Sequence, residues 1–200
     1  MVKKQQYNYI HTVVLHYLNS DVLNKLVYLI LKNITMESNP LAIANYFINR
    51  ANDEGVDLTP MKLVKLVYIS HGWYLAMKNE SLIDEGVQAW KYGPVVPSVY
   101  RSFKEYKDGQ VTRPAYIFTD QVQIITPIVL EEDKIEFLND IWKVYKKYNG
   151  LQLSTLTHQK DTPWYEVWHN CNGKNKDSVP IPNQLIKEHY QQKLNNPVEG

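Results

Sequence analysis

The sequence has one cysteine, few glycines and almost no net charge, and each of these shortages argues against a class of function. Cys171 stands alone, so neither an intrachain disulfide nor a cysteine-based zinc site can form. The 8 glycines match neither the dinucleotide-binding nor the P-loop glycine pattern, which makes a glycine-rich phosphate cradle unlikely on sequence grounds. The net charge of +1 argues against nucleic-acid binding through a broadly basic surface.

Long apolar runs are missing as well. The purest run, Leu26–Leu31, is far shorter than the roughly 20 residues that a membrane span requires. Lys3 and Lys4 are not followed by a clean apolar segment or a small-residue cleavage site, so no secretory signal is expected. The 200 residues, 44% hydrophobic and 22% charged, are typical of a folded globular protein. We therefore expect a cytoplasmic protein without membrane contact.

Helix start and stop signals frame the first half of the main domain. Asn39-Pro40 begins one predicted helix and Gly55 ends it. Thr59-Pro60 repeats the start signal, and the second predicted helix runs from about Met61 to Lys78. This second helix is apolar on nearly every side, which predicts a central, buried helix. The small residues around its His71 predict that another backbone comes close there.

Shorter signals follow along the chain. Residues 82–84 and 87–92, with Gly86 between them, predict a small hairpin that Gly93-Pro94 ends. Next come a predicted short helix that Pro97 begins and an irregular connector at 110–130 with one strand at 123–125. A helix from Glu131 and a short helix from Ser154 to Gln159 follow. The last predicted elements are an aromatic turn at 163–168, a polar loop at 171–181 and a helix that Pro182 begins. The predicted fold is mainly α with a small antiparallel β insert (α+β), in a compact helical domain.

The first 35 residues differ from the rest. Apolar residues recur there at helical spacing, which predicts a helical extension over residues 1–35 that packs on the main domain or on a partner. The alternative is that Met36 is the natural start and the preceding residues are not native. The main domain is placed at residues 36–195.

Catalytic constellations are weak in this sequence. His71 is the best candidate for a general base, with Asp84 or Glu85 as an acidic companion, although a hydrogen-bonded core histidine explains the same position. The six histidines lack the spacing of a metal site. We therefore expect no cofactor, no metal and no enzymatic activity, and keep a small enzyme that uses His71 as an alternative.

The segment 89–100 combines rigidity with aromatic side chains. Its prolines fix φ and remove hydrogen-bond donors, while Gly93 permits a tight bend. Trp90, Tyr92 and Tyr100 surround this turn. Two interpretations remain open: a hydrophobic corner packed on the long helix, or a preorganised aromatic platform for a protein partner.

Two stretches resemble one family of proteins. Residues 58–73, which read LTPMKLVKLVYISHGW, and residues 89–100, which read AWKYGPVVPSVY, are together similar to the Panacea antitoxin domain. This domain occurs in SocA-like antitoxins and in phage-associated GepA-like proteins. The resemblance runs from about Pro40 to about Trp168, and Thr162-Pro163-Trp164 looks like the second tryptophan turn of the family.

The resemblance implies a non-enzymatic antitoxin of a toxin–antitoxin system, which neutralises a cognate toxin protein by direct binding. One branch of the family also delivers its toxin to an ATP-dependent protease, so a proteolytic adaptor is an alternative. Carried over to this sequence, the residues of the partner-binding or scaffold motif are Lys65, His71, Trp73, Trp90, Tyr92, Gly93, Pro94, Val95, Pro97, Tyr100 and Trp164. If the motif is framework alone, the toxin contacts are expected in residues 1–35 and 110–130.

Overall fold

Helices make up most of the computed structural model, which describes residues 38–118, 123–125, 130–171, 173–176 and 178–196. The main helices are α1 (Pro40–Glu54), α2 (Pro60–Lys78), α3 (Pro97–Phe103), α4 (Glu132–Tyr145), α5 (Gly150–His158) and α6 (Asn183–Asn195). Within these ranges, no helix combines the length and the apolar character needed to cross a bilayer. The predicted helical extension at 1–35 and the alternative start at Met36 lie outside the described residues.

The start and stop signals of α1 and α2 act as predicted. The Asn39 side chain accepts a hydrogen bond from the Leu41 backbone N–H at 2.8 Å, and Gly55 ends α1 in the left-handed conformation. Thr59 caps α2 in the same way. Helix α2 is buried from residue 62 to residue 72 without interruption and packs against α1, α4, α5 and α6. It is therefore the central, buried helix that its all-round apolar pattern predicts.

The structure confirms a small antiparallel sheet, but the predicted hairpin pairs the wrong residues. Strand β1 (Gln88–Trp90) pairs antiparallel with β2 (Gly93–Val95), so the turn lies at residues 91–92 and not at Gly86. Gly93 and Pro94 lie inside the second strand instead of ending one. Residues 82–84 form no strand, and the side chains of residues 82 and 83 are buried in the core. The prediction failed because a loop that faces the core and a buried strand show the same short run of apolar residues in the sequence.

Three further strands complete the β structure of the described residues: one joins the sheet of β1 and β2, and the other two form a second, two-stranded sheet. The predicted polar loop at 171–181 contributes β5 (Val179–Pro180), which pairs antiparallel with the other side of β1. The predicted strand at 123–125 is confirmed as β4 (Gln123–Ile125), and β3 (Tyr116–Phe118) is its antiparallel partner, which the sequence pattern did not reveal. The fold is thus mainly α with a small antiparallel sheet, as predicted.

In the second half of the chain, the structure corrects one helix boundary and extends the aromatic turn. Helix α5 begins at Gly150, because Asn149 and Gln152 form a reciprocal capping box there, and the predicted cap Ser154 lies inside the helix. The aromatic turn begins as a helical turn at Pro163–Tyr165 and continues as a π-helix at Glu166–Asn170.

Helices α2 and α6 meet at Gly72. A Cβ atom added at Gly72 would overlap the Tyr190 ring, which is buried and also packs edge-on against Trp73 at a centroid distance of 5.0 Å. The small residues around His71 therefore do allow a close approach, but an aromatic ring occupies the space instead of a backbone.

Replacement of Gly72 by Ala should destabilise the fold. The added methyl group displaces Tyr190, at a cost of about 1–3 kcal/mol of unfolding free energy that exceeds the gain in helix propensity. Urea unfolding followed by circular dichroism measures this loss. Gly86→Ala is the matched control, because no atom lies within 4 Å of its added Cβ. Equal stability of the two variants would contradict the packing described.

Candidate functional site

A buried lysine joins the two stretches of the sequence motif. The Nζ atom of Lys65, in α2, donates hydrogen bonds to the backbone carbonyls of Tyr92 at 2.7 Å and Pro94 at 3.0 Å. The Lys65 side chain is fully enclosed, with 1% of the residue exposed. The central helix thus holds the β1–β2 hairpin by main-chain atoms on both sides of Gly93.

Gly93 is required by this contact for two separate reasons. Its φ of +100° is a conformation that side-chain-bearing residues rarely adopt. A Cβ atom at this position would also lie 2.5 Å from Lys65 Nζ and 2.8 Å from His158 Cε1. A side chain here would both strain the turn and separate the lysine from its carbonyl partners.

The Lys65 ammonium is bound by neutral oxygens. Burial disfavours the charged form and lowers the pKa of Lys65 to about 7, from an ordinary value of 10.5. His158 lies beside it, and its Nδ1–H donates to the Ser154 carbonyl at 2.5 Å. Burial lowers the pKa of His158, and the nearby Lys65 charge lowers it further. Two basic groups therefore lie under the hairpin, and burial favours the neutral form of each.

Trp164, which lies 74 residues after Trp90 in the sequence, contacts the same hairpin. Its indole Nε1 donates to the Trp90 carbonyl at 2.7 Å. The His158 ring packs against it at a centroid distance of 3.9 Å, and Trp168 stacks on it at 5.6 Å. The structure thus brings together Lys65, the hairpin and the later tryptophan turn, which are far apart in the sequence.

The remaining motif residues, in the hairpin and in the adjoining helix α3, divide into buried and exposed groups. Val95 and Pro97 are buried, whereas Tyr92 is 64% exposed and Tyr100 is 40% exposed. Trp90 is half-buried and packs edge-on against Tyr100 at 4.9 Å. The hairpin and the start of α3 therefore pack on the core through Val95 and Pro97, and present the Tyr92 and Tyr100 rings to the outside.

His71 and Trp73 belong to a different part of α2. His71 has no exposed surface, and its Nε2 atom lies 3.0 Å from the Asn183 side-chain oxygen at the start of α6. Burial lowers the pKa of His71. Trp73 is half-buried and donates from Nε1 to the Tyr145 hydroxyl at 2.9 Å. Both residues join α2 to neighbouring helices.

The proposed pairing of His71 with an acidic companion is not present in the structure. Both Glu85 carboxylate oxygens accept from the Ser98 backbone N–H, at 3.1 and 3.2 Å, so this carboxylate caps α3. Asp84 is exposed. A substrate cannot reach the enclosed His71 ring in this conformation, and the hypothesis of a His71 base has no geometric support here.

Lys62 is a structural residue that the sequence analysis missed. Its Nζ atom donates to the carbonyls of Lys146 at 2.7 Å and Asp57 at 3.1 Å, and it lies over the Trp142 ring. The available signal was a pair of lysines, three residues apart, in a helix that is apolar all round. Such lysines need polar partners inside the protein, because a buried amine without one is costly.

Replacement of Lys65 by Met should loosen the hairpin. Methionine fills a similar volume but removes the Lys65 donor from both carbonyls, so Tyr92 keeps only the 3.4 Å bond from the Ser154 hydroxyl. A buried carbonyl that stays unsatisfied costs about 1–3 kcal/mol. We expect the unfolding free energy at pH 8 to fall by about 2–4 kcal/mol. Urea unfolding measures this loss, and the exposed Lys78→Met is the control. A loss no larger than that of the control would contradict the role of Lys65.

The stability difference between the wild type and Lys65→Met should grow with pH. Above pH 7 the folded protein releases the Lys65 proton, whereas the unfolded chain keeps it until about pH 10.5. The unfolded state then binds more protons, so the unfolding free energy of the wild type rises from pH 7 to pH 9, by up to about 1.4 kcal/mol per pH unit. Urea titrations across this range test it, and a difference that is independent of pH would contradict it.

Comparisons with known proteins identify the family of the chain. The family described as "Antitoxin SocA-like, Panacea domain" matches residues 63–165, which include Lys65, the hairpin and Trp164. The chain is 27% identical over 158 residues to Antitoxin SocA of Caulobacter vibrioides (strain NA1000 / CB15N), and this alignment covers 74% of the chain and 80% of that protein. No solved structure matches the chain. Because the family match spans more than half of the sequence, the chain belongs to the SocA-like Panacea antitoxin family.

Proposed function

We propose that this protein is an antitoxin that binds a cognate protein toxin in the cytoplasm and neutralises it without catalysis. Membership of the SocA-like Panacea family is the observation that carries the proposal. The curated relative, at 27% identity, is itself named an antitoxin. We assign the binding function to the domain placed at residues 36–195.

The hairpin supports a binding function on physical grounds. Its main chain is fixed by Lys65 and Trp164, so little conformational freedom is lost when a partner binds. Tyr and Trp side chains combine apolar area with a polar group and are enriched at protein interfaces. Exposed Tyr92 and Tyr100 on a rigid support therefore favour a protein partner.

Co-expression with the neighbouring gene tests the proposal. We expect the protein encoded beside this gene to arrest growth when expressed alone, and this protein to restore growth when both are induced. Colony counts measure the rescue, and co-purification on a size-exclusion column shows the complex. Persistent arrest, with both proteins present in soluble form, would contradict the proposal.

Two further measurements separate this proposal from its alternatives. A direct inhibitor leaves the half-life of the toxin unchanged, whereas a proteolytic adaptor shortens it in cells that carry the ATP-dependent protease. His71→Gln should lower the thermal stability and keep the rescue, because His71 is an enclosed residue that joins α2 to α6. Loss of rescue by a stably folded His71→Gln protein would favour the enzyme alternative.

A further inference from the structure

A groove of about 580 Å³ runs along the outer side of the hairpin. We call it the hairpin groove. Met61 and Val64 of α2 and Val95 of β2 contribute aliphatic surface to it, and Tyr92 and Tyr100 contribute aromatic surface. Its volume lies in the range of pockets that bind ligands or buried side chains. The groove can therefore accept one or two apolar side chains of a partner.

The charged side chains that line the hairpin groove all have one sign. Lys91, Lys104 and Lys107 are exposed lining residues, and among the residues that the structure describes no Asp or Glu lines the groove. Within the described part of the chain, none of these three lysines forms an ion pair. Glu105 and Asp108 lie on the same segment of chain but outside the groove lining. The positive charge at the groove is thus uncompensated by the lining itself.

The backbone at the groove is also unusual. Lys107 has a φ of +54° and a ψ of −111°, and its N–H donates to the Lys104 carbonyl at 3.0 Å. Non-glycine residues rarely adopt positive φ, and such conformations concentrate at binding and catalytic sites. The turn holds two of the three lysines next to the aromatic wall.

From this arrangement we infer that the hairpin groove receives a toxin segment in which an aliphatic or aromatic side chain is flanked by Asp or Glu residues. The inference rests on the proposed function. The apolar side chain fills the groove beside Val64 and Val95, and the flanking carboxylates meet the lysines. Opposite charges at the edge of an interface guide encounter and select the partner.

The chemistry of the groove favours an acidic peptide over a nucleic acid. Single-stranded nucleic acids need several open aromatic faces for stacking and a basic path that follows the backbone. Here Trp90 is half-buried and packs edge-on against Tyr100, and the other groove surface includes valine and methionine side chains. The net charge of the whole chain is only +1. A short segment with one apolar anchor fits this surface better.

A charge-reversal variant tests the inference. The groove variant carries Lys91→Glu, Lys104→Glu and Lys107→Glu, and the probe is the protein encoded by the neighbouring gene. We expect the groove variant to lose growth rescue and to bind the purified probe at least about ten-fold more weakly in titration calorimetry. Raising the salt concentration should weaken wild-type binding more than binding by the groove variant, because salt screens the exposed charges.

The control variant carries the same change of charge elsewhere. It combines Lys78→Glu, Lys160→Glu and Lys174→Glu, all at exposed positions outside the groove lining. We expect it to rescue growth and to bind within about two-fold of the wild type, since distant exposed charges contribute little. Circular dichroism and thermal melting confirm that both variants are folded.

A neutral version of the groove variant keeps the test informative if the charge reversal impairs folding. It carries Lys91→Gln, Lys104→Gln and Lys107→Gln, and we expect an intermediate loss of affinity. Equal binding by the neutral variant and the wild type would overturn the inference.

Three outcomes have distinct meanings. Equal loss of rescue in the groove and control variants overturns the groove inference and leaves the antitoxin function intact. Failure of the wild type to bind or neutralise the probe overturns the proposed function, and the inference with it. Wild-type binding to a 20-nucleotide oligo-dT or to bulk tRNA that is lost in the groove variant, with probe binding retained, assigns the groove to nucleic acid and overturns the inference.

Discussion

One buried ammonium group joins the central helix to the hairpin, and the arrangement of the whole site depends on it. Lys65 binds two carbonyl oxygens on either side of Gly93 and has no carboxylate among its hydrogen-bond partners. The desolvation that lowers its pKa is the cost of placing an amine inside the core. The two hydrogen bonds offset this cost only when the turn has the shape that Gly93 allows, so the lysine and the glycine depend on each other.

Local signals in the sequence are sufficient for α1 and α2, although they misplace the start of α5. Caps and apolar periodicity act over a few residues, so α1 and α2 were predicted with their ends. The strand pairing of the sheet was harder to predict. Strand β5 is only two residues long, and it pairs with β1 from about 90 residues away in the sequence. The hairpin register failed for a different reason. Gly93-Pro94 is typical of the end of a strand. Pro94 nevertheless lies within an edge strand, where its missing N–H leaves no ladder hydrogen bond unmade.

The candidate site was predicted as a set of residues, not as an arrangement. The resemblance named Lys65, the hairpin residues and Trp164, but no periodicity indicates that a lysine of α2 reaches the hairpin carbonyls. The contacts from Lys65 and Trp164 end on main-chain atoms of residues 90, 92 and 94. Such contacts do not depend on the identity of the side chains at positions 91 and 92. The exposed side chains of the hairpin can therefore differ while the support beneath them stays the same.

The position of β2 at the edge of its sheet has one more consequence. The strand order is β2-β1-β5, so no strand of the described residues pairs with the outer side of β2. Edge strands commonly attract foreign strands that extend the sheet, in aggregation or in peptide recognition. Here Lys65 already occupies the Pro94 carbonyl, and the proline ring offers no N–H. The edge is thus closed to β-augmentation, and any polypeptide that meets this side must be recognised through side chains instead of a shared backbone ladder.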